Sequence, residues 1–176
     1  AANMMPKTPS RSANRRYVAA MELDAFDRRL LSLVQEDAGL TAERLAETVP
    51  LSVSAIQRRI RRMREQGVIV KDVAVCDPKK LGRPTFFVVS LQVERERPEL
   101  LAELKRWLSA EEQIQQVYYV TGEADFVLIV TAPDTESYDD LMSRLVSRNA
   151  NVRRFTTNVA LGVVKRGLAI AIPEAR

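Results

Sequence analysis

The sequence predicts an α+β chain of two domains: an N-terminal helix-turn-helix domain of winged-helix-like kind and a C-terminal ferredoxin-like βαββαβ domain. Three observations carry this expectation. Up to about residue 75 apolar residues recur at helical spacing among arginines, whereas after residue 84 β-branched and aromatic runs alternate with amphipathic stretches. Between them Asp77 to Pro84, within CDPKKLGRP, collects turn residues. A chain of 176 residues with 46% hydrophobic content can bury one large core or two modest ones, and the change of texture favours two. The expected limits are a basic flexible tail at 1–20, the helix-turn-helix at 21–67, a connecting strand and linker at 68–84, and the βαββαβ domain at 85–172.

The first helix is LDAFDRRLLSLVQED (23–37), with Leu23, Phe26, Leu30, Leu31 and Val34 at helical spacing and Gly39 where a helix stops. Thr41 is the N-cap of the second. Leu40 before it and Leu45 after it sit at the two positions of a hydrophobic staple. Ser52 repeats the device for a third helix, between Leu51 and Ile56, only a few residues after the second ends near Thr48. Two short helices joined so tightly must cross sharply, which lets the second project. At 100° per residue, Ile56, Ile60 and Met63 fall within about 60° of one another and form its buried seam. Ser54, Arg58 and Arg61 point the opposite way, flanked by Gln57 and Arg62.

In the second half FFVVSLQVE (86–94) reads as a strand and PELLAELKRWLSA (98–110) as a helix. IQQVYYV (114–120) and DFVLIVTA (125–132) form a hairpin through TGEA, SYDDLMSRLVS (137–147) is a second helix, and FTTNVALGVVK (155–165) a fourth strand. This order leaves one sheet face without helices, a face that a second copy of the chain covers most simply.

Charge and composition narrow the function. The net charge is +4, yet residues 21–77 carry nine basic and ten acidic groups, so the five arginines at 58–64 are a local patch in a balanced segment. A major groove admits one helix. Arginine gives guanine two hydrogen bonds, glutamine does the same for adenine, and the helix N-terminus favours phosphate. Ser54, Gln57 and Arg58 are therefore expected at base edges of double-stranded DNA. Ser52, Arg61, Arg62 and the tail residues Arg15 and Arg16 are expected nearer phosphates, which give affinity without sequence. One cysteine and no histidine exclude disulfide frameworks, zinc clusters and imidazole mechanisms. No catalytic residue, metal site or cofactor is expected, and a soluble, cytoplasmic, non-exported protein is. At the hairpin, Gly122 exposes N–H groups suited to a carboxylate, and Asp125 suits an ammonium group. The same residues also fit an ordinary glycine-containing turn with a solvated aspartate.

Taken together, LDxxDRxLLxxxxxD at 23–37, LSxSxxxxRIRRMxxxGVI at 51–69 and TGxxDF at 121–126 resemble the Lrp/AsnC family of feast/famine transcription regulators. The resemblance runs from about Met21 to Ile172. It implies a DNA-binding N-terminal domain, a connecting strand at VIVKDVAV (68–75) and an effector-binding, oligomerising C-terminal domain. It implies homodimers formed through the open sheet faces and assembled further, commonly to octamers, and an amino-acid effector near the hairpin loop. Carried over by position, the effector site comprises Tyr119, Thr121, Gly122, Glu123 and Asp125, with Thr156 or Thr157 on the last strand. One departure is Pro50, where the family usually places a glycine before the third helix. Proline cannot take the positive φ that glycine supplies, which bears on the angle of that helix. A ligand-blind architectural DNA-binding protein is the rival reading. A resemblance of layout to siroheme decarboxylases is remote, because those enzymes are expected to use histidine and this chain has none.

Overall fold

The structure, a computed structural model, describes residues 22–173. The expected tail at 1–20, with Arg15 and Arg16, lies outside them. The chain divides into two compact units, one holding residues up to Val73 together with the stretch from Leu168, the other Ala74–Gly167.

Three helices build the first unit: α1 (Ala25–Glu36), α2 (Ala42–Ala46) and α3 (Val53–Glu65). Each starts at a side-chain cap, Asp24, Thr41 and Ser52 respectively. The free N–H groups of the first turn are thereby satisfied. Leu30, Leu31, Leu45, Val49, Ile56 and Met63 form the core. Phe26, grouped with the apolar face of α1 by spacing, is instead 37% exposed and lies under the Arg59 guanidinium. The turn into α3 needs no glycine. Leu51 N–H bonds back to the Val49 carbonyl across Pro50, a γ-turn whose central φ suits proline, and buried Val49 plugs the core beneath. At the other end Gly67, at φ +71°, closes α3: its N–H bonds to the Arg64 carbonyl and that of Val68 to the Met63 carbonyl, the Schellman pattern.

Two sequence expectations about the connections do not hold. Residues 68–75 form no strand, because this extended segment has no ladder partner among the described residues. The C-terminal domain, expected to reach Ile172, ends its own packing at Gly167. From Leu168 the chain joins the first unit, where Ile172 packs on the core, Arg28 donates to the Pro173 carbonyl, and the Gln35 amide both donates to and accepts from the Ile170 backbone. An amide side chain that pairs both ways with one residue imitates a strand neighbour.

The second unit is β1 (Thr85–Val93), α4 (Pro98–Ala110), β2 (Ile114–Tyr119), β3 (Phe126–Ala132), α5 (Thr135–Arg148) and β4 (Val152–Val159), with antiparallel sheet order β2-β3-β1-β4. Phe87, Val89 and Leu91 of β1, opposite Val130, Leu128 and Phe126 of β3, meet α4 and α5 in the core. Because side chains alternate, Phe86, Val88, Ser90 and Gln92 occupy the open face, with Val127, Ile129 and Thr131 beside them. β4 ends at Val159, well short of Lys165. The bond from Ala160 N–H to Phe86 O is the last available, since β1 itself begins at Thr85. Among the described residues no helix is long and apolar enough to cross a membrane.

Candidate functional site

The α3 surface is shaped by which of its arginines the fold already uses. Ile56 and Met63 are fully buried and Ile60 half-buried, so the expected seam seats the helix. Arg59 reaches Asp24 at 2.7 Å and Asp27 at 2.8 Å, Arg62 reaches Asp27 at 2.8 Å, and Arg64 reaches Asp72 at 2.9 Å. Arg58 and Arg61 have no ion-pair partner among the described residues, and with Ser54 and Gln57 they are exposed. Ser52 accepts from Ala55 N–H and shares a hydrogen bond with Ser54, so its hydroxyl serves the helix first. The outward row Ser54, Gln57, Arg58, Arg61 thus offers two unspent guanidinium groups and one amide. Arg62 differs from the expected free phosphate anchor, because one of its Nη atoms is held by a buried carboxylate.

That carboxylate is what the sequence reading missed. Asp27, on the apolar side of α1, is fully buried and serves as the common acceptor for Arg59 and Arg62. It also closes a capping box with Asp24, whose side chain accepts from Asp27 N–H. Asp24 and Asp27 at N-cap and N3 spacing were the available signal. The Asp27 N–H, together with Arg59, holds the Asp24 carboxyl below its ordinary value of 3.8, and Asp27 and Asp24 raise Arg59 in turn. The polarity is plain: α1 grips one flank of α3 and leaves the opposite flank free.

The seven expected effector residues do not come together. Thr121 and Gly122, the latter at φ +122°, stand exposed in the turn between β2 and β3. Asp125 is no free acceptor: its Oδ2 accepts from Val93 N–H at 2.7 Å, where a register shift at Gln92/Val93 interrupts the pairing of β1 with β4. Its own N–H bonds to the Leu91 carbonyl at 2.8 Å. Asp125 therefore clamps the hairpin to β1, and Gln92 adds a third tie by donating to the Glu123 carbonyl. Tyr119 pairs with Phe126 on the helix-covered face, its ring 4.9 Å from that of Phe126 and capped by Lys105 Nζ at 4.2 Å. Thr157 lies opposite Val89 on that same face and bonds to the Tyr138 hydroxyl. Thr156, one residue away, lies opposite Ser90 on the open face. Only Glu123 and Thr156 share a recess, together with Ser90, Gln92, Ala124 and Arg154, of which the sequence reading named none. A charged residue opposite Gln92 in an apolar strand was the signal for Arg154.

Comparison with known proteins places both units. Residues 87–170 match the Lrp/AsnC ligand binding domain, and residues 23–70 a winged helix-turn-helix DNA-binding domain. An uncharacterized HTH-type transcriptional regulator of Sinorhizobium fredii is 42% identical over 153 residues, 87% of this chain and 90% of that protein. An AsnC family transcriptional regulator from Agrobacterium tumefaciens superposes with a TM-score of 0.78 at 30% identity, covering 84% of this chain and 96% of the other. A feast or famine regulatory protein from M. tuberculosis, solved in complex with L-methionine, superposes with a TM-score of 0.74 at 28% identity over 86% of this chain and all of the other.

Proposed function

The chain belongs to the Lrp/AsnC family and is a DNA-binding transcriptional regulator, not an enzyme, and from that premise we propose that it reads its operator through the outward row of α3 and alters its assembly or DNA affinity when an amino acid binds the second unit. The observation that carries the reading is the partition of the α3 arginines. Arg58 and Arg61 are left to a ligand while Arg59, Arg62 and Arg64 are tied down. Arg58, Gln57 and Ser54 read base edges, and Arg61 with Ser52 and the N-terminal turn of α3 meets phosphates. Arg62 contributes its remaining donors to a phosphate at the edge of the site.

An amino-acid effector is supported by the solved neighbour that holds L-methionine. Homodimerisation through the open sheet face is supported by its uncovered apolar residues Phe86, Val88, Val127 and Ile129. Assembly of the dimers to an octamer follows the family habit. Residues 21–67 then serve DNA and residues from 85 onward the effector.

The test is a gel-shift titration of the full chain on a duplex selected from a random pool, repeated with each of the twenty amino acids, and size measurement with any that acts. The expected result is one amino acid, or a chemically related few, that moves the DNA affinity or the assembly state. If no amino acid moves either, the chain is a ligand-blind architectural protein.

A further inference from the structure

The recess on the open face joins groups that ordinarily neutralise one another. Its volume is about 160 Å³, below the roughly 300 Å³ at which drug-sized sites begin, so it suits a compact ligand. Arg154 and Glu123 both line it, yet neither has an ion-pair partner among the described residues, while the adjacent Arg153 does pair, with Glu94 at 3.8 Å. Ser90 and Thr156 face each other across β1 and β4, and neither hydroxyl is engaged within the described chain. Gln92, opposite Arg154, commits its Nε2 to the Glu123 carbonyl, which leaves its Oε1 as an acceptor.

The rim of this recess is fixed. Gln92 and both hydrogen-bonding groups of Asp125 tie the hairpin to β1, and the register shift at Gln92/Val93 gives Asp125 the backbone N–H it needs. Glu123 is thereby carried on a loop anchored at three points, and Arg154 on a hydrogen-bonded strand. Binding groups already held in place need little ordering when a ligand arrives.

We propose that this recess grips both charged ends of a free α-amino acid, the carboxylate on Arg154 with the Ser90 and Thr156 hydroxyls and the ammonium on the Glu123 carboxylate with Gln92 Oε1. The inference rests on the effector reading above and moves the polar contacts away from Asp125 and Tyr119. A guanidinium offers a carboxylate two parallel donors, and a carboxylate and an amide oxygen offer an ammonium its acceptors. Neither a simple amine nor a simple acid satisfies both ends.

Calorimetry on the full chain tests it. The probes are the twenty L-amino acids and, for the tightest binder, its decarboxylated amine and its α-hydroxy acid. Wild type is expected to bind the amino acid and to lose about tenfold or more in affinity for either analogue, and Arg154→Gln and Glu123→Gln are each expected to weaken the amino acid by a similar factor. Both positions are exposed, so unfolding curves of the variants should match wild type. If an amino acid binds and both variants bind it equally well, the recess is not its site and the effector reading stands. Loss in one variant alone overturns the two-ended grip. If no amino acid binds wild type, the effector reading falls and this inference with it.

Discussion

Asp27→Asn perturbs the first unit where one buried group holds two helices together. The carboxylate accepts from Arg59 at 2.8 Å, from Arg62 at 2.8 Å and weakly from Asp24 N–H at 3.3 Å, with 1% of its side chain exposed. Removing one partner of a fully buried ion pair costs about 3 to 5 kcal/mol. Here the stranded charges are not fully buried: the side chains of Arg59 and Arg62 are 22% and 44% exposed, and Asp24 still holds Arg59 at 2.7 Å. Partial resolvation lowers the cost to about 2 to 3 kcal/mol. Asparagine keeps one acceptor but points an amide donor at an arginine, so it does not repair the site. Urea unfolding followed by far-ultraviolet circular dichroism should show the loss, with Trp107 emission reporting the second unit as an internal control. The same change frees Arg62, so the slope of log affinity against log salt on non-operator DNA should steepen by about one phosphate contact, about 0.9. A stability loss below about 0.5 kcal/mol, the level of an ordinary surface substitution, would refute the claim that Asp27 fixes α3 against α1.

Further consequences follow from the same unit. The folded pKa of Asp24 lies below its ordinary 3.8, so its contribution to stability is complete above about pH 4 and is lost as pH falls through the lowered value. Asp24→Asn should flatten that acid limb of a stability-against-pH curve, and an unchanged limb would exclude Asp24 as its source. Gly67→Ala should cost about 1 to 2 kcal/mol in urea unfolding, all of it from the positive φ, because an added Cβ would meet nothing within 4 Å. Gln35→Ala should release the returning C-terminal stretch by removing both bonds to Ile170, an effect of about 1 to 2 kcal/mol read as faster proteolytic cleavage beyond Gly167. A cleavage rate equal to wild type would show that Ile172 alone holds the segment.

Much of this was legible because it is local. Caps at Thr41 and Ser52, the staples beside them and the Ile56, Ile60, Met63 seam are written within a few residues of the elements they define. The order of strands and helices in the second unit followed from alternating periods. What escaped depends on partners distant in sequence. The run 155–165 looks like one strand, but pairing stops at Val159 because β1 offers nothing beyond Thr85. The stretch from Leu168 has no local sign that it returns to α1. Asp27 reads as one more charge on an amphipathic helix until Arg59 and Arg62 are placed above it. At the effector site a single residue decided the outcome. Thr156 and Thr157 are neighbours in sequence but occupy opposite faces of the sheet, so a motif carried over by position could not choose between them.

Reading of DNA by the free flank of α3 is tested most directly with Arg58→Ala. Wild type and variant are titrated by gel shift against a selected operator and against random duplex, each at two salt concentrations. Losing a guanidinium that reads a base should weaken operator binding by roughly 1 to 3 kcal/mol while leaving random-duplex affinity within a few-fold, so the specificity ratio falls. Equal loss on both duplexes would make Arg58 one more phosphate anchor and would contradict the base-reading role of the outward row of α3.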